Sequence, residues 1–315
     1  MGWTTENIPD QTGRRFVVTG ANSGIGFEAT KALARKGAEV VMACRSTERG
    51  EDAVGEIRSE VDYGELVVKE LDLASLASVR DFAKRMNDEE EIDVLVNNAG
   101  VMAIPRRETE DGFETQFGVN HLGHFALTGL LLDLIADDGR IVCVSSDLHT
   151  RGEMDFDDLH GEESYDKWSA YSQSKLANLL FAYELDRRLK EAGSDIRSLG
   201  VHPGYADTNL QRRGPEMSGS KVRKVMMTTA NKIFAQSADA GALPTLYAAT
   251  SPDAEGGEYY GPGGFMRMRG SPERQKSSES SYDGDDARRL WEVSESMTGV
   301  EYELPEPVEA EAETG

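Results

Sequence analysis

Apolar residues along the chain fall into short unbroken runs, separated by longer stretches in which they recur every three or four positions. The runs are Arg15-Phe-Val-Val-Thr19, Glu39-Val-Val-Met-Ala43, Leu66-Val-Val-Lys69, Asp93-Val-Leu-Val96, Arg140-Ile-Val-Cys-Val144 and Ile196-Arg-Ser-Leu-Gly-Val201, with a shorter one at Glu258-Tyr-Tyr260. A strand with one wet face alternates, so continuous runs predict parallel strands covered on both faces. Helical periodicity fills the gaps at about 24–36, 47–60, 75–88, 113–136, 168–193, 208–212, 220–250 with a break, and 284–297. This alternation predicts an α/β fold: one doubly wound, Rossmann-type parallel sheet of about seven strands with helices on both faces. The segments 147–166 and 261–281 read as loops, the first as an acidic insert. Residues 1–299 read as a single domain, and 300–315, with six glutamates and two prolines, as a disordered acidic tail.

Composition sharpens the picture in two ways. The 315 residues hold 57 acidic and 34 basic side chains, a net charge of −23, and only 11 of the cations are lysine. Tight nucleic-acid binding needs a basic footprint and is not expected. A carboxylate-rich, lysine-poor surface fits a halophile, where salt screens self-repulsion and hydrated carboxylates keep the protein soluble. The start of the chain has no basic segment followed by an apolar one, so no signal peptide is expected. The longest apolar stretch, Leu122 to Ala136, is too short to span a bilayer. Cys44 and Cys143 sit in strand-like runs and read as free buried thiols, so a soluble cytoplasmic protein is expected.

The chemistry begins where the first run ends. Thr19-Gly-Ala-Asn-Ser-Gly-Ile-Gly26 joins a strand to a helix, and glycines at 20, 24 and 26 let the backbone turn tightly against a diphosphate. Asn22, Ser23 and Ile25 complete that loop. After the second run comes Ala43-Cys-Arg-Ser46, with no carboxylate until Glu48. A ribose 2′-hydroxyl calls for an acid at this place and a 2′-phosphate for a cation, so Arg45, with Arg49 one turn on, favours NADP over NAD. The alternatives are a surface role for Arg45, or Glu48 turning back toward a ribose. Further on, Tyr171-Ser-Gln-Ser-Lys175 places a phenol and an ammonium on one helix face. The ammonium is expected to favour the phenolate and so make proton exchange feasible. Ser146, at the carboxyl end of the run closing at Val144, can hold a substrate oxygen beside Tyr171.

Together these residues resemble the short-chain dehydrogenase/reductase family in its single-domain form over roughly residues 13–262. The supporting motifs are Thr19 to Gly26, Leu71-Asp-Leu73, Asn97-Asn-Ala-Gly100, Asn120 in Gly-Val-Asn-His-Leu-Gly-His, Ser146, Tyr171 with Lys175, and Pro203-Gly204 followed by Thr208. The resemblance implies that Asp72, beside Leu73, contacts adenine, and that Asn98, with Ala99 and Gly100, braces the sheet beside the cofactor. It also implies that Pro203, Gly204 and Thr208 meet the nicotinamide end. Tyr171 would be the acid/base, Lys175 would bind the nicotinamide ribose and polarise Tyr171, Ser146 would steady the oxygen, and Asn120 would hold a relay water. Ala-Cys-Arg, the long insert after Ser146 and Arg289-Leu-Trp-Glu-Val-Ser-Glu295 resemble the retinol dehydrogenase and WW-domain oxidoreductase branch, to which relatives of protochlorophyllide reductase belong. Ser146 and Tyr171 lie 25 residues apart, about twice the family's usual spacing, which alters the substrate mouth.

Three features carry weaker readings. His121 and His124 could share a metal, but no further ligand is near in sequence, so they read as helix packing and no metal is expected. The insert's acids lack a regular calcium-loop spacing and read as a solvated loop. Arg212, Arg213, Lys221, Arg223 and Lys224 precede an apolar stripe within 205–235, which reads as an amphipathic substrate lid. The cluster suits an anionic substrate, a membrane surface, or pairing with the acidic surface. The expected activity is NADP-dependent interconversion of a carbonyl and an alcohol on an apolar small molecule. The alternatives are reduction of a ring double bond and a non-catalytic NADP sensor. A homo-oligomer is expected through helix 168–193, unless the C-terminal extension covers it.

Overall fold

A computed structural model of the chain describes residues 2–86, 91–204, 237–264, 267 and 269–304. Its sheet has eight strands in the order β3-β2-β1-β4-β5-β6-β7-β8. These are β1 (Arg15–Thr19), β2 (Glu39–Cys44), β3 (Glu65–Glu70), β4 (Ile92–Asn97), β5 (Ile135–Val144), β6 (Arg197–Val201), β7 (Tyr259–Pro262) and β8 (Pro272–Gln275). All neighbours are parallel except β7 and β8. The helices are α1 (Gly24–Arg35), α2 (Thr47–Arg58), α3 (Leu76–Met86), α4 (Thr115–Phe117), α5 (Gly123–Leu131), α6 (Lys167–Glu191), α7 (Ala238–Thr250) and α8 (Gly284–Thr298). Crossover helices bury both sheet faces, so the strand interiors are apolar: Phe16, Val17, Val40, Val41, Val94, Leu95, Ile141 and Val142 are all fully buried. One core layer lies under α1 and α7 and the other under α3, α5 and α6. The strand order reverses between β1 and β4, which opens a crevice at their carboxyl ends.

The expected doubly wound sheet is present, with three corrections. The eighth strand falls inside the segment read as a loop at 261–281. It is an edge strand, Pro-Glu-Arg-Gln, with only Pro272 buried, and so shows no apolar run. The single helix read over 113–136 is α4, a π-helical turn at Gly118–Leu122, α5 and a 3-10 turn at Leu132–Leu134, after which β5 begins at Ile135. The chain also stays packed beyond 299. Val300 is buried in the α3–α5–α6 layer, with Tyr302 and Leu304 against it, so the boundary drawn for the tail lies too early. Residues 305–315 are outside the described set, as is the whole lid 205–235 with its basic cluster.

The acidic insert is held by its own carboxylates. Asp158 accepts from the backbone N–H groups of Glu162, Glu163 and Ser164, and Asp166 caps α6 by accepting from Trp168 and Ser169. α8 lies along α6: Trp291 stacks on Phe181, and Arg188 sits 4.3 Å above the Trp291 ring.

Candidate active site

The glycine turn after β1 is built as its residue types require. Gly20 has φ +67° and Gly24 φ +57°, in the left-handed region that glycine enters freely. A Cβ on Gly26 would lie 2.5 Å from Asn98 Nδ2 and 2.6 Å from the Gly20 carbonyl oxygen, so the helix approaches the sheet only without one. Asn98 Nδ2 donates to the Thr19 carbonyl at 2.8 Å, while the Thr19 hydroxyl accepts from the N–H groups of Asn98 and Ala99, both at 2.9 Å. These bonds lock the ends of β1 and β4 together beside the cleft.

That cleft, about 250 Å³, is lined by Gly20, Asn22, Ser23, Gly24, Ile25, Arg45, Asp72, Leu73, Asn98, Ala99 and Gly100. Sequence reasoning missed Thr115 and Val119, which line it from the start of the α4–α5 helical segment. Their only sequence signal is their closeness to Asn120. Gly26 lies beneath the wall, wedged between Asn98 and Gly20. Arg45 and Arg49 face the cleft without an ion pair among the described residues, and Glu48 is not part of its lining. Pro203 and Gly204 follow β6; Thr208 is outside the described residues.

The cleft opens toward a buried polar cluster at the carboxyl ends of β4 and β5. Tyr171 and Lys175, one turn apart on α6, are 4% and 3% exposed. The two adjacent serines separate cleanly. Ser145 is buried and donates to the Lys175 carbonyl at 2.7 Å, whereas the Ser146 hydroxyl accepts from Leu148 N at 3.3 Å and lies near enough to the Tyr171 phenol to favour its ionised form. Lys175 Nζ donates to the Val144 carbonyl at 2.9 Å, and Asn178 Nδ2 donates to the same oxygen at 3.1 Å. Gly100 makes room for the pair: a Cβ there would be 3.0 Å from Asn120 Oδ1 and 3.6 Å from Lys175 Nζ.

Asn120 sits in the π turn, a local widening that frees helix carbonyls from the regular ladder. Both ends of its side chain are held: Oδ1 accepts from Val101 N at 2.8 Å, and Nδ2 donates to Val101 O at 3.0 Å and Ser174 Oγ at 2.9 Å. Its carbonyl accepts from His124 Nδ1 at 3.0 Å, and His124 Nε2 meets the Thr19 hydroxyl at 2.9 Å. Burial pushes the His121 and His124 imidazoles down to about 3 and about 4, so both are neutral packing groups at pH 7. No group of metal-ligating side chains occurs among the described residues.

Electrostatics here differ from the sequence expectation. Burial pushes the Tyr171 phenol up to about 12, only partly opposed by the nearby Ser146 hydroxyl. Lys175 Nζ lies 5.9 Å from the Tyr171 ring centroid and is itself pushed down to about 8 by burial. At this separation desolvation outweighs the ammonium, so the free protein keeps the phenol protonated and poised as an acid.

A short chain dehydrogenase family model matches residues 14–218. Mouse retinol dehydrogenase 14 is 43% identical over 303 residues, covering 91% of this chain and 86% of its own. A crystal structure of a protein from Mycobacterium paratuberculosis, 43% identical, superposes with a TM-score of 0.81 over 96% of this chain and all of that one. A Beutenbergia cavernae protein solved with NADP at low occupancy is 25% identical with a TM-score of 0.62, over 80% of this chain and 96% of that one. Among the described residues no helix is long and apolar enough to cross a membrane.

Proposed function

Because the chain belongs to the short-chain dehydrogenase family, we propose that it is an NADP-dependent oxidoreductase interconverting a carbonyl and an alcohol, with Tyr171 as its acid/base. The observation that carries this reading is the buried Tyr171 phenol, beside Ser146 and one helical turn from a buried Lys175.

The cleft fits a dinucleotide. Its glycine turn leaves no room for side chains, and the first-turn N–H groups of α1 have no partner within the helix, as a diphosphate requires. Bound there, the dinucleotide supplies hydride chemistry. Arg45 and Arg49 supply the charge for a 2′-phosphate, and Asp72 and Leu73 stand at the adenine end. Pro203, Gly204 and Thr208 are assigned to the nicotinamide end by family likeness. The solved relative with bound NADP supports the choice of dinucleotide.

In the reductive direction the Ser146 hydroxyl steadies the substrate oxygen while the Tyr171 phenol gives up its proton to that oxygen. Lys175 remains charged at neutral pH, because its value of about 8 lies above it, and stabilises the phenolate left behind. Asn120, whose side chain is held by Val101 and Ser174 and whose main-chain oxygen accepts from His124, is the residue that holds a relay water. The name of the mouse relative points to an apolar alcohol or aldehyde of the retinoid kind as the substrate class.

The test is NADPH oxidation by the full chain against a panel of apolar aldehydes and ketones, at low and at molar salt. The wild type should turn over at least one of them, and Tyr171→Phe should lose at least about 10²-fold in kcat. Equal rates in both proteins would sink the proposal.

A further inference from the structure

Two buried histidines on the substrate side take no part in the chemistry above, and both lead to the same C-terminal element. His149 is fully buried three residues after Ser146; its Nδ1 lies 2.7 Å from the Ser146 carbonyl and its Nε2 3.0 Å from the Ser278 N–H. His202, at the end of β6, has Nε2 3.1 Å from Gln275 Oε1, and its Nδ1 accepts from the Gly204 N–H at 3.3 Å. Tyr259 on β7 packs between the rings, edge-on to His149 at 5.4 Å and stacked on His202 at 5.2 Å. A Cβ on Gly261 would overlap the His202 ring, so this strand residue must be glycine for His202 to reach Gln275.

We infer that the β7–β8 hairpin and the turn after it form a positioning element of the active site, setting the Ser146 backbone through His149 and the Pro203–Gly204 turn through His202. The inference rests on the oxidoreductase reading above. It adds a role for residues beyond 218, where the family match ends.

Hydrogen-bond roles are decided by the partners. A carbonyl only accepts and a backbone N–H only donates, so His149 carries its proton on Nδ1 with Nε2 accepting. His202 carries its proton on Nε2, because Gly204 N–H faces Nδ1 and Gln275 turns its oxygen inward while its Nε2 donates to the Pro262 carbonyl at 2.9 Å. The two rings therefore hold opposite tautomers. Burial keeps both imidazoles below their ordinary range, consistent with neutral rings using both nitrogens.

The far end of the link is also anchored. Ser277 Oγ meets the Tyr183 hydroxyl of α6 at 2.9 Å, and Ser277 N donates to the Tyr282 hydroxyl at 3.2 Å. Tyr183 and Tyr282 stack face to face with ring centroids 5.1 Å apart. Thus α6, which carries Tyr171, holds the turn that holds His149, which holds Ser146. The loop fixes the spacing of the two hydroxyl groups that share the substrate oxygen.

The test compares His149→Phe, His149→Asn, Ser278→Pro and Tyr171→Phe in the full chain. Ser278 has φ −66°, the angle proline imposes, so Ser278→Pro removes the N–H with little change of backbone there. A displacement of catalytic groups by about 1 Å costs up to about 10²-fold, so His149→Phe should lower kcat about 10- to 100-fold and Ser278→Pro in the same direction. NADPH affinity should stay within about twofold, since neither residue faces the cleft. His149→Asn, whose amide can donate to the Ser146 carbonyl from near the Nδ1 position but does not reach Ser278, keeps the local bond and breaks the link, so its kcat should fall about as far as that of Ser278→Pro. Long-range ¹H–¹⁵N spectra should show an Nδ1–H ring for His149 and an Nε2–H ring for His202. Unchanged kcat in His149→Phe, or wild-type kcat in His149→Asn, would overturn the inference, as would two rings of the same tautomer. If Tyr171→Phe stays fully active, the oxidoreductase reading falls instead, and the ring spectra still decide whether the hairpin link exists.

Discussion

Lys175 puts a number on the cost of the active site. Its value of about 8, against an ordinary 10.5, means that the folded protein binds this proton less well than the open chain does. Between those values the unfolded state carries more protons, so stability rises with pH across that window. Below it the full burden of the buried charge applies, about 3 kcal/mol at about 1.4 kcal/mol per pH unit. Lys175→Met removes the charge while filling similar space. The Val144 carbonyl keeps a donor, because Asn178 Nδ2 bonds it at 3.1 Å, so no orphan acceptor is created. After an allowance of about 1 kcal/mol for the lost Nζ hydrogen bond, the variant should be about 2 kcal/mol more stable than the wild type at pH 7.

The assay is denaturant unfolding of both proteins without cofactor, at fixed ionic strength, from pH 7 to pH 10.5. The advantage of Lys175→Met should be nearly constant up to about pH 8, then shrink, reach zero near pH 10 and turn slightly negative above it, where only the lost hydrogen bond remains. Other titrating groups are common to both proteins and cancel in the difference. Catalysis should be lost at every pH, which separates stability from function at one side chain. A variant less stable than wild type at pH 7, or a difference that does not move with pH, would refute the reasoning.

Two further outcomes follow from the cleft and from the packed end of the chain. Arg45→Ala should raise KM for NADPH about tenfold and leave KM for NADH within about twofold, since only the former has a 2′-phosphate to pair. The gap should narrow in molar salt, where screening length falls to about 3 Å, and steady-state kinetics with both dinucleotides check it. Tyr302→Ala should destabilise the protein by about 3 kcal/mol, toward the low end for aromatic truncation because the ring is only partly buried. That ring lies 4.5 Å from Trp291 and 4.9 Å from Phe125, and its hydroxyl donates to the Phe125 carbonyl at 2.7 Å. A melting temperature equal to wild type would exclude the packing described.

The parallel strands were legible because buried parallel strands need side chains that are apolar on both faces, and β1, β2, β4 and β5 display that directly. Glycines were legible for a similar reason: at Gly20 and Gly26 no other residue fits, so identity reports geometry. β8 was not, because an exposed edge strand is specified by its neighbour's hydrogen bonds, here Tyr259 to Gln275 and Tyr260 to Arg274. Nor was the docking of Tyr302. In sequence it is one aromatic among glutamates, and its seat is made far away by Gly129, where a Cβ would lie 2.8 Å from the ring. The Tyr171–Lys175 pair lies on one helix as its spacing predicts, but burial raises the phenol instead of lowering it. Spacing of four residues shows that two groups share a face, and only the fold shows that both are almost completely buried.

Burial of this kind has to be supported by packing elsewhere in the chain. A buried ammonium and a π turn each reduce the stability of the fold near the cleft. Beyond 218, α8 with Trp291 covers the α5 and α6 surfaces, Val300 and Tyr302 seal the same layer, and Gln275 and Ser278 reach the substrate-side histidines. The same segment thus offsets the strain by apolar burial and limits where Ser146 and Gly204 can move. Destabilising α8 should therefore lower kcat as well as melting temperature, whereas destabilising β3 on the opposite edge should lower melting temperature alone.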